Sequence, residues 1–386
     1  MNRRNTLRVI GGAAISAATL GGAGCSAELP PQALVAWQGP GDEPDLRRWL
    51  LAHAILAPHS HNLQSWLIDL AEPGVITLGM DLQRLLPQTD PLSRQLVISQ
   101  GTFIEVLVMA ARQRGLRALV TPFPDGAFGP QGPDTRPVAR VQLVADAGLA
   151  PDPLFAQLLR RHTNRADYAP RAPDAQALAA IRASVQGLPV QVGFSDPARA
   201  DAIQVQRQIA MAAWRTELVT PRTLLESYKV LRVGPDEIAR HRDGLSLNDP
   251  LVRLLTAVGL FDRSQASAPD SAAIRGQLER FNASIAATPA FFWLLTADNQ
   301  RTTQLAAGRA YVRAQLAATA HGLSMHPLSQ ALQEYPEQAP HFTAIHQALG
   351  ATGAQQTVQM WARLGYGPAA TPSPRRGVAA HLQPAA

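Results

Sequence analysis

Apolar residues along this chain alternate between helical and strand spacing in a regular order. Spacing of three and four predicts a helix over 45–57, with Asp45 as its N-cap, and short apolar runs predict strands near 66–70 and 74–79. A longer helix is predicted over 93–114, ended by Gly115, and a strand over 137–144. Helices follow at 153–161, 174–185 and 197–217. The run Phe291, Phe292, Trp293, Leu294, Leu295 predicts a strand over 290–296. A helix over 301–321 stops at Gly322, and Val358, Met360 and Ala362 alternate through a strand at 356–364. Pro and Gly cluster at 39–44, 122–136, 149–153 and 367–374, marking loops and a boundary near 150. The pattern is that of an α+β protein.

The pattern also repeats. Arg94, Gly101, Ala110, Ala111, Gly115 and Leu116 recur 207 positions later as Arg301, Gly308, Ala317, Ala318, Gly322 and Leu323. Each copy reads Arg-x6-Gly-x8-Ala-Ala-x3-Gly-Leu on a long helix preceded by a strand. Identities of this kind at one spacing indicate tandem duplication. Small residues on one face also let two helices approach closely. The expected organisation is a first half over 28–150 and a second half over 151–386, with a helical lid inserted at about 215–285.

The start of the chain changes the meaning of its charge. Arg3 and Arg4, then Leu7 and an uncharged Gly/Ala-rich run from Val9 to Gly24, resemble a twin-arginine export signal over residues 1–27. The single cysteine, Cys25, stands where a lipobox cysteine would be acylated, and one cysteine excludes an intrachain disulfide. Without residues 1–25 the formal charge falls from +6 to +3. The basic residues are scattered and aromatics make up only 5%, so no nucleic-acid footprint remains. Lys229 is the only lysine and no Gly-x-x-x-x-Gly-Lys occurs, so any phosphate must be held by arginine. The expected location is periplasmic, free or membrane-anchored.

The chemistry concentrates in 53–66, His-Ala-Ile-Leu-Ala-Pro-His-Ser-His-Asn-Leu-Gln-Ser-Trp. Pro58 ends the helix, and Ser60, His61, Asn62 and Gln64 crowd hydrogen-bonding groups into one turn. Buried polar groups at that density need partners. The stretch resembles the Pro-Ser-x-x-Asn-x-Gln-Pro-Trp segment of the FMN-dependent nitroreductase superfamily, and more closely its Acg-like branch with a twin-arginine signal. Ser65 replaces the usual proline.

That resemblance implies a duplicated nitroreductase-like fold, in which one chain mimics a nitroreductase dimer and binds FMN between its halves. It implies cofactor roles for Pro58, Ser60, Asn62 and Gln64. Arg161-His162-Thr163-Asn164-Arg165 is similar to the family's Arg-His-Ser-x-basic start, so Arg161, His162, Thr163 and Arg165 would grip the phosphate and ribityl and set a cation near the ring. Pro327, Leu328 and Ser329 stand where the family lays backbone amides along the isoalloxazine. Arg375 and Arg376 resemble a terminal basic pair that closes the phosphate site. The first half lacks an Arg-His-Thr-x-Arg, and the second has no Asn-x-Gln-x-Trp after its helix at 174–185. One complete site per chain is therefore expected, without need of a dimer.

His59 with His61, and His321 with His326, are too few and too far from acids for a metal site, and no Gly-x-Ser-x-Gly elbow occurs. No residue is assigned a catalytic role of its own, because the flavin would carry the redox step. The implied activity is two-electron reduction of a nitroaromatic, quinone or similar acceptor from a small-molecule donor. The alternative is a flavin-storing or sequestering protein without turnover.

Overall fold

The computed structural model describes residues 28–383. The expected export signal and Cys25 lie outside the described residues.

Helix α1 (Leu46–Ala54) starts at Asp45, whose carboxylate accepts from the Arg47 and Arg48 amides. It leads into β1 (Trp66–Asp69) and β2 (Val75–Met80), the long α2 (Arg94–Gln113), β3 (Leu116–Pro122) and β4 (Ala139–Ala145). These strands form an antiparallel sheet in the order β1-β2-β4-β3. The second half begins with α3 (Ala175–Ser184) and β5 (Gln191–Phe194). A module then intervenes, made of α4 (Ala200–Val219), α5 (Pro221–Lys229), β6 (Leu231–Val233), α6 (Gly234–His241), β7 (Leu245–Leu247), α7 (Pro250–Ala257) and α8 (Ala272–Ala286). After it come β8 (Ala290–Thr296), α9 (Arg301–Ala320), β9 (Ser324–Pro327), α10 (Ala339–Ala348) and β10 (Thr357–Gly365). The second sheet is antiparallel in the order β5-β8-β10-β9.

The two sheets therefore share one plan of two strands, a long helix and two strands, with the last strand inserted between the second and third. That is the repeat read from α2 and α9, realised as a duplicated α+β fold. The two helices pack against each other at the centre. A Cβ on Gly101 would lie 2.1 Å from the Leu305 carbonyl oxygen, and one on Gly308 would lie 1.9 Å from that of Ile98. Only glycine permits this approach. Gly115 and Gly322 end the helices at φ 63° and 71°, as C-terminal glycines do. Glu105 on α2 accepts from Arg309 and Arg313 on α9, both at 2.7 Å, and fastens the pair beyond the crossing.

Strands β3, β5 and β9 were not predicted, and all three are sheet edges. Two of them end in proline, Pro122 and Pro327, which a central strand cannot hold. Residues Pro153–Arg160 form a 3-10 helix capped by Asp152. The inserted segment is not wholly helical, since β6 and β7 pair in parallel within it. It has its own core of Leu218, Leu224, Tyr228, Leu247, Leu255 and Ile274. The chain's last described residues return to the first sheet, where Leu382 bridges Ile68 and covers the free edge of β1.

Candidate functional site

The turn between α1 and β1 is strained and heavily braced. Residues Ser60–Asn62 make a 3-10 turn, and His61, Asn62 and Gln64 all adopt left-handed backbone at φ 49°, 55° and 53°. Three such non-glycine residues within four cost on the order of 1–3 kcal/mol each, so the surroundings must impose them. Ser60 N–H donates to Ser99 Oγ at 3.0 Å, and Thr102 Oγ1 donates to the Pro58 carbonyl at 2.6 Å. His59 Nε2 accepts from the Ser65 amide at 3.1 Å, which leaves Nδ1 to donate to the Ser60 carbonyl at 2.8 Å. That makes His59 neutral, and burial pushes its pKa down to about 3.

The side chains expected to meet a ligand edge meet the protein itself. Asn62 Nδ2 donates to the carbonyls of Pro374, at 3.0 Å, and Gly244, at 3.3 Å, while Asn62 Oδ1 accepts from Arg375. Gln64, fully buried, donates to the Arg242 carbonyl at 2.9 Å and accepts from the Arg376 amide at 2.9 Å. The C-terminal segment thus lies across the turn from one side. The Arg242-Asp243-Gly244 bend of the inserted module closes it from another, and the Gly244 amide donates to the Asn62 carbonyl at 3.0 Å. Asp243, buried, pins that bend through Arg84 and Arg232.

On the other side of this junction, away from Asp243, two buried cations meet without an acid. Arg161 is buried, donating to the Leu56 carbonyl and to Gln315 Oε1, both at 3.1 Å. Arg375 is buried, donating to the Ala57 carbonyl at 3.1 Å and Ser373 Oγ at 2.8 Å. Among the described residues no carboxylate enters the surroundings of Arg161, Arg165 or Arg375. Burial lowers Arg161 to about 10 and Arg375 to about 9, with Arg161 repelling Arg375 as well. Surrounding protein also lowers Arg165, whose side chain nonetheless keeps an exposed surface. His61 and His162 are both pushed down to about 4, by burial first and then by Arg165 beside His61 and Arg161 beside His162. All three guanidiniums stay charged at neutral pH, while the histidines are neutral.

Several buried polar atoms here lack partners, namely Arg161 Nε, His162 Nδ1, Tyr311 OH, Gln315 Nε2, Arg375 Nε and Arg376 Nε. Uncompensated buried cations and orphaned donors in one place are what an absent anionic group would leave behind. The residues present therefore fit a phosphate-bearing ligand.

Thr163 forms a parallel bridge to Met325, and the Asn164 amide donates to the Met325 carbonyl at 3.1 Å. This brings the arginine motif alongside Pro327, Leu328 and Ser329. Pro327 has no amide proton, and the Leu328 amide donates to the Trp361 carbonyl at 2.8 Å. Of the three, Ser329 alone has an amide left for a ligand.

Sequence reading missed Trp37. Its indole donates to the Ser373 carbonyl at 2.8 Å and lies under both Arg375 and Arg161, with centroid distances of 5.5 and 5.9 Å. Only a tryptophan in a Gly/Pro-flanked stretch signalled it. His326 and Tyr311 were also missed as neighbours of Arg165. Trp214 stacks on Phe281 in the core. Among the described residues no three His, Cys, Asp or Glu side chains are placed to hold a metal, and no helix is long and apolar enough to cross a membrane.

No family model and no curated protein matches the chain. Among solved structures it is similar to a nitroreductase-like family protein from Bacillus cereus, at 11% identity and a TM-score of 0.34, over 60% of this chain and 95% of that one. It is also similar to the FMN-dependent nitroreductase NfnB from Mycobacterium smegmatis, solved in complex with NADPH. That match has 17% identity and a TM-score of 0.37, over 60% of this chain and 98% of that one. Both are distant likenesses.

Proposed function

We propose that this chain is an exported FMN-binding oxidoreductase of nitroreductase type, with one flavin site assembled from both halves of one chain. The observation that carries the reading is the meeting of the buried Arg161 and Arg375 over the Trp37 ring, with no acid among their partners. Guanidinium forks suit a phosphate dianion, and buried cations of this kind need one. Arg161 and Arg375 would hold the phosphate, with Trp37 limiting the motion of both, while Arg165, beside His61 and His326, would set a cation near the ring. FMN, when bound, supplies two-electron transfer at N5. The chain's own part is to orient that group and exclude water, for which its neutral histidines and scarcity of acids are suited. Purified protein should be yellow and release FMN on denaturation, and Arg161→Ala and Arg375→Ala should each weaken FMN by about 1.5–3 kcal/mol. Folded, colourless protein that takes up no FMN would refute the reading.

A second reading, flavin storage without turnover, is favoured by one observation. Arg242 and Gly244 of the inserted module are bonded to Gln64 and Asn62, closing the turn against a substrate. Reducing the bound flavin with dithionite and then adding a nitrofuran or a quinone separates the two. Reoxidation faster than in buffer supports the enzyme, and no acceleration supports storage. Export by the twin-arginine route is supported by Arg3, Arg4 and Leu7, with Cys25 as a lipid attachment point. Replacing Arg3 and Arg4 together by lysine should hold the protein in the cytoplasm, and continued export would refute that route.

A further inference from the structure

Helix α7 has two apolar sides. Val252 and Leu255 turn into the core of the inserted module. Leu251, Leu254 and Val258 are 40%, 58% and 58% exposed, at spacings of three and four that place them in one stripe. Arg253 is exposed on the same helix. The chain's first described residue sits close by, since Asn248, just before α7, donates to the Glu28 carbonyl at 2.8 Å. Glu28 follows Cys25 by three residues, which extended chain spans in at most ~11 Å. Anything attached to Cys25 therefore stays within about one length of α7, itself ~12 Å long, from that helix's N-terminal end.

We propose that the Leu251/Leu254/Val258 face of α7 docks on the phospholipid surface beside which the chain is anchored. A helix that presents an exposed apolar stripe suits the boundary between acyl chains and headgroups. One lipid chain alone gives marginal, reversible attachment, and a protein face that adds apolar contact supplies the second signal. The contact of Glu28 with Asn248 puts the start of the described chain at the N-terminal end of this helix. The inference rests on the export and anchoring reading for the source of the surface, but its test does not need acylation.

The test is flotation of the purified full chain with vesicles of phosphatidylethanolamine and phosphatidylglycerol. It is run on wild type, on Cys25→Ser, and on each with Leu254→Ser and Val258→Ser together. The Cys25→Ser protein should still bind, and the double substitution should lower its partitioning about tenfold, the effect of removing two half-exposed apolar side chains from contact with lipid. Its thermal midpoint should not change, because exposed positions carry little folding energy. Binding that the double substitution leaves unchanged overturns the proposal. So does a dimer, seen by sedimentation, that only the double substitution dissociates, since the face would then serve a second copy. An intact mass without an acyl group, together with vesicle binding that the double substitution abolishes, supports docking while refuting the anchor.

Discussion

Replacing Gly308 by alanine tests the central packing of the duplicated fold. The added methyl would sit 1.9 Å from the Ile98 carbonyl oxygen and 3.0 Å from the Gly101 Cα, against the 3.4 Å or more of ordinary contact. Both neighbours are backbone, so no side chain can swing away. Relief requires α2 and α9 to separate by roughly 1.5 Å, the shortfall from ordinary contact. That would also stretch the Glu105 bonds to Arg309 and Arg313, now 2.7 Å. Overpacking of this kind costs typically about 1–3 kcal/mol and sometimes more. Alanine returns at most ~1 kcal/mol through its better helix propensity. A site backed by rigid backbone belongs at the upper end of the overpacking range, so a net loss of about 2 kcal/mol or more is expected. Urea denaturation should show a lower midpoint with an unchanged slope. Gly377→Ala, whose methyl meets nothing within 4 Å, should behave as wild type. Gly308→Ala protein as stable as wild type, or more stable, would refute the close crossing.

Three further outcomes follow from the structure. Burial holds His59 and His381 near 3, and His61, His162 and His346 near 4, so the unfolded chain takes up their protons below about 6.5 and the folded chain does not. Their contribution is full above pH 6.5 and is lost as pH falls toward 4. Asp90, raised to about 6, and Glu217, raised to about 7, act in the opposite sense but are fewer. The denaturation midpoint should fall between pH 6.5 and 4.5, and a rise on acidification would refute the burial of these histidines. Asp243→Ala leaves Arg84 and Arg232 without their shared carboxylate, so it should lower stability by about 2–3 kcal/mol, a figure reduced for the partial exposure of Arg84; an unchanged midpoint would show that the bend is held by its backbone bonds alone. FMN occupancy should stay constant on dilution through the low-micromolar range, because Asn62 and Arg161 share one chain. Occupancy that falls in step with dissociation of a dimer would contradict an intrachain site.

The duplication was legible because its physical causes are local. A glycine at a helix crossing and a glycine at a helix end each leave a fixed letter, and both copies kept theirs. Strands β5 and β9 were not legible because each has only four residues, and β3 because no residue of its seven is buried and it ends in proline, so their patterns resemble loops. The crowding of polar groups between Pro58 and Trp66 could be read directly, whereas the arginine motif stood out only through its likeness to a family motif. What closes that turn could not be read. The Asn62–Arg375 contact joins residues 313 positions apart, and the Gln64–Arg242 contact joins residues 178 apart. Nothing in a local pattern specifies either. Trp37 escaped notice for the same reason, since its role depends on Ser373 and Arg375 arriving from the far end of the chain.

The central claim is that this chain holds a phosphate-bearing flavin through Arg161 and Arg375. The most direct measurement is a fluorescence titration of the flavin-free protein with FMN and with riboflavin, which lacks the phosphate. FMN should bind more tightly than riboflavin by tenfold or more, at about 1.4 kcal/mol per tenfold, and Arg161→Ala should remove most of that preference while leaving riboflavin affinity nearly unchanged. Equal affinity for the two ligands, or a preference for FMN that survives Arg161→Ala, would contradict the account.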